Sequence, residues 1–403
     1  MRRILFVDDE TPVLEGLQLR LRPLRIKWEM TFVDSGPKAL AELEKAAYDV
    51  IVSDMRMPAM DGAELLRLVS ERRPQIVRIV LSGFSDLRQT IRLVPIAHQY
   101  LSKPCEPERL ENTVERCLAL QELLQEPRLR ALVGRIRRLP ALPSTFAKLQ
   151  QTMAKESAGA RDVAAIVAQD SVIAAKVLQM VNSAFFRLSR RITNIEQAVN
   201  YLGFTSVRNL VMSAEVFASW PTTQLNPVLD VERLQNHARM VATIAQAFTT
   251  RTPLADDALL AALLHDIGYW VLLQECPQEL EQAIAMAVTE AIPLHQAERQ
   301  VIGSSHAEIG AYLLGIWGLP YPIVEAVANH HAPQRVRQSS FDVLTALAVA
   351  GALAPDDDST TVTASVPPDS KVGSEYLAAT GAPFGWPEAE RRAAECLKSG
   401  ENA

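Results

Sequence analysis

Residues 50–54, Val-Ile-Val-Ser-Asp, constrain this chain more than any other stretch. Three β-branched residues in a row suit a strand buried on both faces of a parallel sheet. The run stops at a carboxylate, Asp54, and a loop containing Pro58 and Gly62 leads into a helix that starts near Asp61. An acid at the carboxyl end of a parallel strand points into the crevice where open α/β sheets bind ligands.

The flanking sequence supplies the rest of such a sheet. Strand patterns at residues 3–7, 28–33, 48–53, 76–81 and 98–101 alternate with helical patterns at 12–21, 37–46, 63–70, 87–94 and from 107. Five βα units predict a five-stranded, doubly wound parallel sheet of flavodoxin-like type over residues 1–120. Its strands end in polar residues: Asp8-Asp9 after the first, Asp54 after the third, Ser82 after the fourth, Lys103 after the fifth. All of these fall on one edge. Three clustered carboxylates repel and need a cation, and an oxygen-only set suits Mg²⁺. With Asp8, Asp9 and Asp54 around the metal, Asp54 can accept a phosphoryl group by in-line transfer. Lys103 and the Ser82 hydroxyl are then placed to bind the added oxygens.

Asp8-Asp9, Asp54 with Met57-Pro58 and Asp61-Gly62, Ser82-Gly83 and Lys103-Pro104 together resemble the receiver domain of two-component response regulators. The resemblance implies that a histidine kinase donates the phosphoryl group. It also implies that Tyr100 is a switch aromatic, following Ser82 as the charge near −2 shifts a two-state equilibrium.

Residues 121–140 read as a helical connector. The helix from Pro107 is expected to run to Leu124, Pro127 interrupts it, and an arginine-rich solvated segment follows. From 141 to 354 helix follows helix with no convincing strand, which predicts an all-α domain. Residues 195–218 could be mistaken for a helix-turn-helix. The second helix is apolar, however, and reads as half of a buried hairpin. Residues 355–373 read as a mobile insertion, and 374–403 as a helical tail packed back on the helical domain.

His237, His265-Asp266, His306 and His330-His331 lie in this half. Together they form a credible set of nitrogen and oxygen ligands for a transition metal such as Mn or Fe, with Asp266 able to bridge two ions. Their order resembles the HD superfamily of metal-dependent phosphohydrolases, with 263–268, Leu-Leu-His-Asp-Ile-Gly, the most specific part. The surrounding text, including 139–143, 181–186, 195–203, 306–310 and 317–320, resembles its HDOD branch, a signalling-output family. Where the HD pattern closes its first metal site with an aspartate, this chain has Gly351. Tyr269 replaces a lysine of the cyclic-dinucleotide phosphodiesterases, and Ala332-Pro333 follows the paired histidines in place of their Gly-Tyr-Pro. The expectation is therefore a non-catalytic interaction domain with a vestigial HD site. Its output partner is unidentified, a cyclic-dinucleotide signalling enzyme being one candidate. The alternative is a receiver-gated metal-dependent phosphohydrolase, with a cyclic-dinucleotide phosphodiesterase as one candidate.

The net charge of −6 argues against a nucleic-acid-coating protein. The most apolar runs, 258–264 and 343–354, are too short to span a bilayer. No signal peptide is visible, and the four cysteines form no framework or CxxC pair, so a reducing cytoplasm is expected. Homodimerisation is left open.

Overall fold

The computed structural model describes residues 1–82, 96–103, 105–120, 124, 127–136, 139–140, 145, 148–149, 151–152, 158–182, 191–203, 206–207, 217–218, 229–336, 340–355 and 372–400. The chain divides into two compact units. One holds Met1–Arg138, Gln179–Arg191 and Gly315–Gly318; the other holds Leu139–Leu178, Ile192–Leu314 and Leu319–Ala403.

The first unit opens with β1 (Arg2–Val7), α1 (Thr11–Arg20), β2 (Trp28–Val33) and α2 (Gly36–Lys45). It continues through β3 (Val50–Asp54), α3 (Gly62–Arg72), β4 (Val77–Ser82) and β5 (Gln99–Ser102). All five strands are parallel, in the order β2-β1-β3-β4-β5. The order reverses between β1 and β3, so their carboxyl ends flank the crevice of a topological switch point. β3 is buried at every residue, which explains its unbroken apolar run. Each fully buried Val or Ile there contributes about 1.5–3 kcal/mol. The predicted helix at 87–94 lies outside the described residues.

Two local features bring α3 against the end of β3. The Asp61 side chain accepts a hydrogen bond from the Glu64 N–H at 2.8 Å, capping the helix. A Cβ on Gly62 would lie 2.1 Å from the Asp54 carbonyl oxygen, so only glycine permits this approach.

The first connector helix, α4 (Pro107–Leu120), ends before Leu124, which is buried but not helical. The expected single helix to Leu124 is thus corrected. A second helix, α5 (Pro127–Arg135), is held against the sheet by an arginine that periodicity would place in a strand core. Arg78, in β4, is 1% exposed. Its guanidinium donates to the carbonyl oxygens of Pro74 (3.1 Å), Ile76 (3.1 Å), Ile96 (2.7 Å) and, at the end of α5, Gly134 (2.8 Å). A buried charge is tolerable when its donors are met in this way. Gly134 makes the approach possible, because a Cβ there would lie 1.9 Å from the Pro74 oxygen.

The other unit is helical but not free of strands. β6 (Leu139–Pro140) pairs in parallel with β7 (Phe217–Ala218). This corrects the strand-free expectation for 141–354; most of the proposed 205–218 helix lies outside the described residues. The helices are α6 (Ala160–Val167), α7 (Ser171–Val181), α8 (Ile195–Leu202), α9 (Val231–Thr249), α10 (Ala255–Leu264) and α11 (Gly268–Glu275). After them come α12 (Pro277–Glu290), α13 (Leu294–Val301), α14 (His306–Ile316), α15 (Tyr321–Asn329) and α16 (Val343–Leu353). The tail forms α17 (Ser374–Ala379) and α18 (Trp386–Gly400). Between these last two, Phe384 packs on Phe248 of α9 and on Phe341, with ring centroids 5.3 and 5.4 Å apart. The insertion at 355–373 lies almost wholly outside the described residues.

Gly134→Ala is expected to lower the stability of the first unit by about 1–3 kcal/mol, because the added methyl overlaps backbone. Gly16→Ala in α1, where a Cβ meets nothing within 4 Å, serves as control and is expected to be neutral or slightly stabilising. Urea midpoints check both; equal midpoints for the two variants would contradict the close approach.

Candidate functional site

At the carboxyl edge of the sheet, Asp54 ends β3 and Asp8 directly follows β1. They are 6% and 1% exposed. Lys103, just past β5, bridges them: its ammonium lies 2.7 Å from Asp8 Oδ2 and in direct contact with Asp54 Oδ1. The second Asp54 oxygen accepts from the Arg56 N–H at 2.7 Å. Asp8 Oδ1 accepts from the Glu10 N–H at 3.1 Å, while the buried Oδ2 has the lysine ammonium as its partner. Burial pulls the Lys103 pKa down, but hydrogen bonds and charge from Asp54 and Asp8 outweigh it and hold the lysine above its ordinary value. Asp9 lines an open pocket beside them with Met55, Arg56, Pro58 and Asp61. The carboxylate donor set of Asp8, Asp9 and Asp54 is all oxygen, and the pocket is open. These features fit a hard divalent cation. Ser82 ends β4 and Tyr100 pairs with Val80 in β5. Their side chains lie outside the described residues.

A second cluster lies in the helical unit. The apolar stretch that carries His265-Asp266 breaks at His265–Ile267, which separates α10 from α11. The break has a steric reason. A Cβ on Gly268 would lie 1.9 Å from the His306 carbonyl oxygen, and one on Gly310 would lie 3.0 Å from the Gly268 nitrogen. Two glycines therefore let α11 cross the start of α14 closely, bringing His265-Asp266 to His306.

Asp266 Oδ2 is 3.1 Å from His265 Nε2, and Oδ1 is 3.3 Å from His306 Nε2 and 3.9 Å from His330 Nε2. His331 Nε2 is 2.9 Å from His306 Nε2. His237, on α9, stands with its ring 5.5 Å from that of His265. Two triads emerge, His306/His330/His331 and His237/His265/Asp266, each with one ligand atom per residue within 4.8 Å of the others. All six predicted residues are thus brought together. The buried Nε2 of His330 has no hydrogen-bond partner, and its Nδ1 faces the Val327 carbonyl at 2.8 Å. That is the arrangement of a metal-ligating imidazole, and mixed imidazole and carboxylate donors fit a first-row transition metal. Gly351, in α16, contributes no ligand atom, and space is open around it.

Two further residues complete the cluster. Glu298 of α13, fully buried, accepts from the His306 backbone N–H at 2.8 Å and meets His306 Nδ1 at 2.7 Å. His295 stacks on His331 with ring centroids 4.4 Å apart. Sequence reading missed both: α13 is short and its glutamate reads as part of a solvated face. Tyr269 stacks on His306 at 4.1 Å.

Burial works against charge on His306, but Glu298 and Asp266 dominate and push its pKa up to about 10. His331, buried and beside other imidazoles, is held well below the ordinary value, as is His330. His306 therefore donates from Nδ1 to Glu298, and neutral His331 is left to accept at Nε2.

The family model for the response regulator receiver domain matches residues 4–115, and that for the HDOD domain matches 139–333. The chain joins a receiver domain to an HDOD domain. An uncharacterized protein of Treponema pallidum is 29% identical over 206 residues, covering 50% of this chain and 39% of its own length. The hydrogenase transcriptional regulatory protein HoxA of Cupriavidus necator is 39% identical over 122 residues, covering 30% of this chain and 25% of its own. The chain thus spans well under half the length of these curated relatives. A solved receiver domain of an HD domain-containing protein from Pseudomonas fluorescens is 30% identical. It covers 30% of this chain and 97% of that one, with a TM-score of 0.29. Receiver and HDOD together have the organisation of a response regulator with an HDOD output domain. Among the described residues no helix is long and apolar enough to cross a membrane.

The stability contributed by the raised His306 pKa is fully present below about pH 6.5, its unfolded value, and is lost as pH rises through about 10. In chelator-treated protein, Glu298→Gln should lower the His306 pKa by at least about one unit. Histidine-selective ¹H–¹⁵N NMR reads this directly, and an unmoved titration would remove Glu298 from that role.

Proposed function

We propose that the protein is a phosphorelay response regulator whose receiver domain accepts a phosphoryl group on Asp54 and passes the change to a non-catalytic HDOD interaction domain. The observation that carries this reading is Lys103 held between buried Asp8 and Asp54 at the sheet's switch point. A histidine kinase is the donor. An Asp54 oxygen attacks phosphorus, the P–N bond to the kinase imidazole breaks, and an acyl phosphate forms. Arg56 N–H holds one carboxylate oxygen, which orients the other for attack. Lys103 already faces the reacting group and pairs with the new phosphoryl oxygens. Asp8, Asp9 and Asp54 would hold Mg²⁺, which when bound neutralises phosphoryl charge during transfer. The dianion biases the face formed by β4 and β5, where Ser82 and Tyr100 are the proposed switch pair. The output partner is a protein, with a cyclic-dinucleotide signalling enzyme as one candidate, and the cytoplasm is the proposed compartment.

A second reading has its own support. All six predicted residues of the His/Asp cluster converge, which favours a metal-dependent phosphohydrolase gated by the receiver. Gly351 in place of a ligand and Tyr269 stacked on His306 weigh against turnover.

Beryllofluoride with Mg²⁺ is expected to bind the wild-type chain and to fail with Asp54→Ala, read by ¹⁹F NMR; equal binding by both would remove Asp54 from the mechanism. On a panel of phosphate esters and cyclic dinucleotides, protein loaded with Mn²⁺ or Fe²⁺ is expected to show no turnover above that of His265→Ala. Hydrolysis lost in that variant would favour the second reading instead.

A further inference from the structure

The receiver-containing unit also holds two half-buried arginines, Arg116 and Arg191, that meet no anion among the described residues. Arg109 and Arg116 lie seven residues apart on α4, two turns along one face. Arg116 Nη2 and Arg191 Nη1 are both buried, and neither has a hydrogen-bond partner. Among the described residues no carboxylate pairs with either guanidinium. Burial drives the Arg191 pKa down to about 9, helped by the charges of Arg116 and Arg109. Burial also lowers that of Arg116. Like charges gathered out of water without a counter-ion are costly, and a bound anion removes the cost.

The surroundings are shaped for one. Gln99, buried at the start of β5, donates from Nε2 to the Ile316 carbonyl at 2.8 Å and keeps a second amide N–H. Gly318 has φ +86°. A Cβ there would come within 2.7 Å of Gln99 Nε2 and 2.9 Å of Arg191 Nη1. Gln99 and Arg191 thus meet at a backbone position with no side chain. Exposed Arg109 stands toward solvent at the rim. Forked guanidinium donors beside an amide N–H suit a tetrahedral oxyanion better than a single planar carboxylate.

We infer that Arg191, Arg116 and Gln99 form a binding site for a phosphate-type oxyanion, separate from Asp54 and from the histidine cluster. The anion is either free phosphate or the phosphate of a nucleotide. The site does not depend on the proposed phosphorelay, so either can fail alone.

The test is thermal unfolding of the full chain in EDTA, which silences both candidate metal sites, at constant ionic strength. Inorganic phosphate is expected to raise the Tm of wild type in a saturable way, by about 3 °C or more, with chloride giving no such rise. Arg191→Met and Arg116→Met should each lose the response and, with one of two repelling charges gone, match or exceed wild type in Tm without phosphate. GMP saturating at a concentration tenfold or more below that of phosphate would identify a nucleotide as source; parity would identify free phosphate. Should neither variant fold, ³¹P line broadening of phosphate by wild type, reversed by excess pyrophosphate, supports the site. Absence of a phosphate shift in wild type, an equal shift in the variants, or an equal effect of chloride would overturn the inference.

Discussion

Carboxylates taken out of water must be compensated, and this requirement shapes both halves of the molecule. In the receiver, Asp8 and Asp54 share the Lys103 ammonium. In the HDOD domain, Asp266 and Glu298 grip opposite sides of His306. The means differ in a way that matters chemically. Lysine on its flexible stem can turn from one oxygen to another as phosphoryl charge arrives. His306 is clamped by a backbone bond, a ring stack and two carboxylates, so its geometry is fixed.

That difference agrees with the division of labour proposed for the two halves. A phosphoacceptor needs a cation that can follow a changing anion. The proposed docking domain needs a rigid core, and the two carboxylates that hold His306 help to supply one. The same cluster keeps the geometry of a ligand set, with His330 Nε2 unsatisfied. Vestige and function are therefore separable only by chemistry.

Much of this was legible in the sequence because it sits at ends of periodic runs. Asp8, Asp54 and Lys103 each follow a strand, and their convergence follows from parallel topology alone. The second cluster was legible through the order of its histidines, which resembles that of the HD superfamily. What stayed hidden depends on contacts between distant segments that no local pattern encodes. Arg78 reads as an anomaly in a strand until the carbonyl oxygens that surround it are known. Glu298 and His295 lie on a short helix whose polar residues read as a solvated face. The break at His265–Ile267 sits inside an apolar run that reads as one helix, since the steric demand comes from His306, some forty residues later. Two-residue strands such as Leu139–Pro140 and Phe217–Ala218 are too short for any alternation to appear.

The grip of Arg78 on Gly134 also makes the connector a ruler. Adding one residue inside α5 ahead of Gly134 would turn the carbonyl about 100° around the helix axis and advance it about 1.5 Å. A guanidinium fixed by three other carbonyls cannot follow. Spacing within α5 is therefore metered rather than elastic, and whole-turn insertions there are the length changes that keep the Gly134 carbonyl facing Arg78.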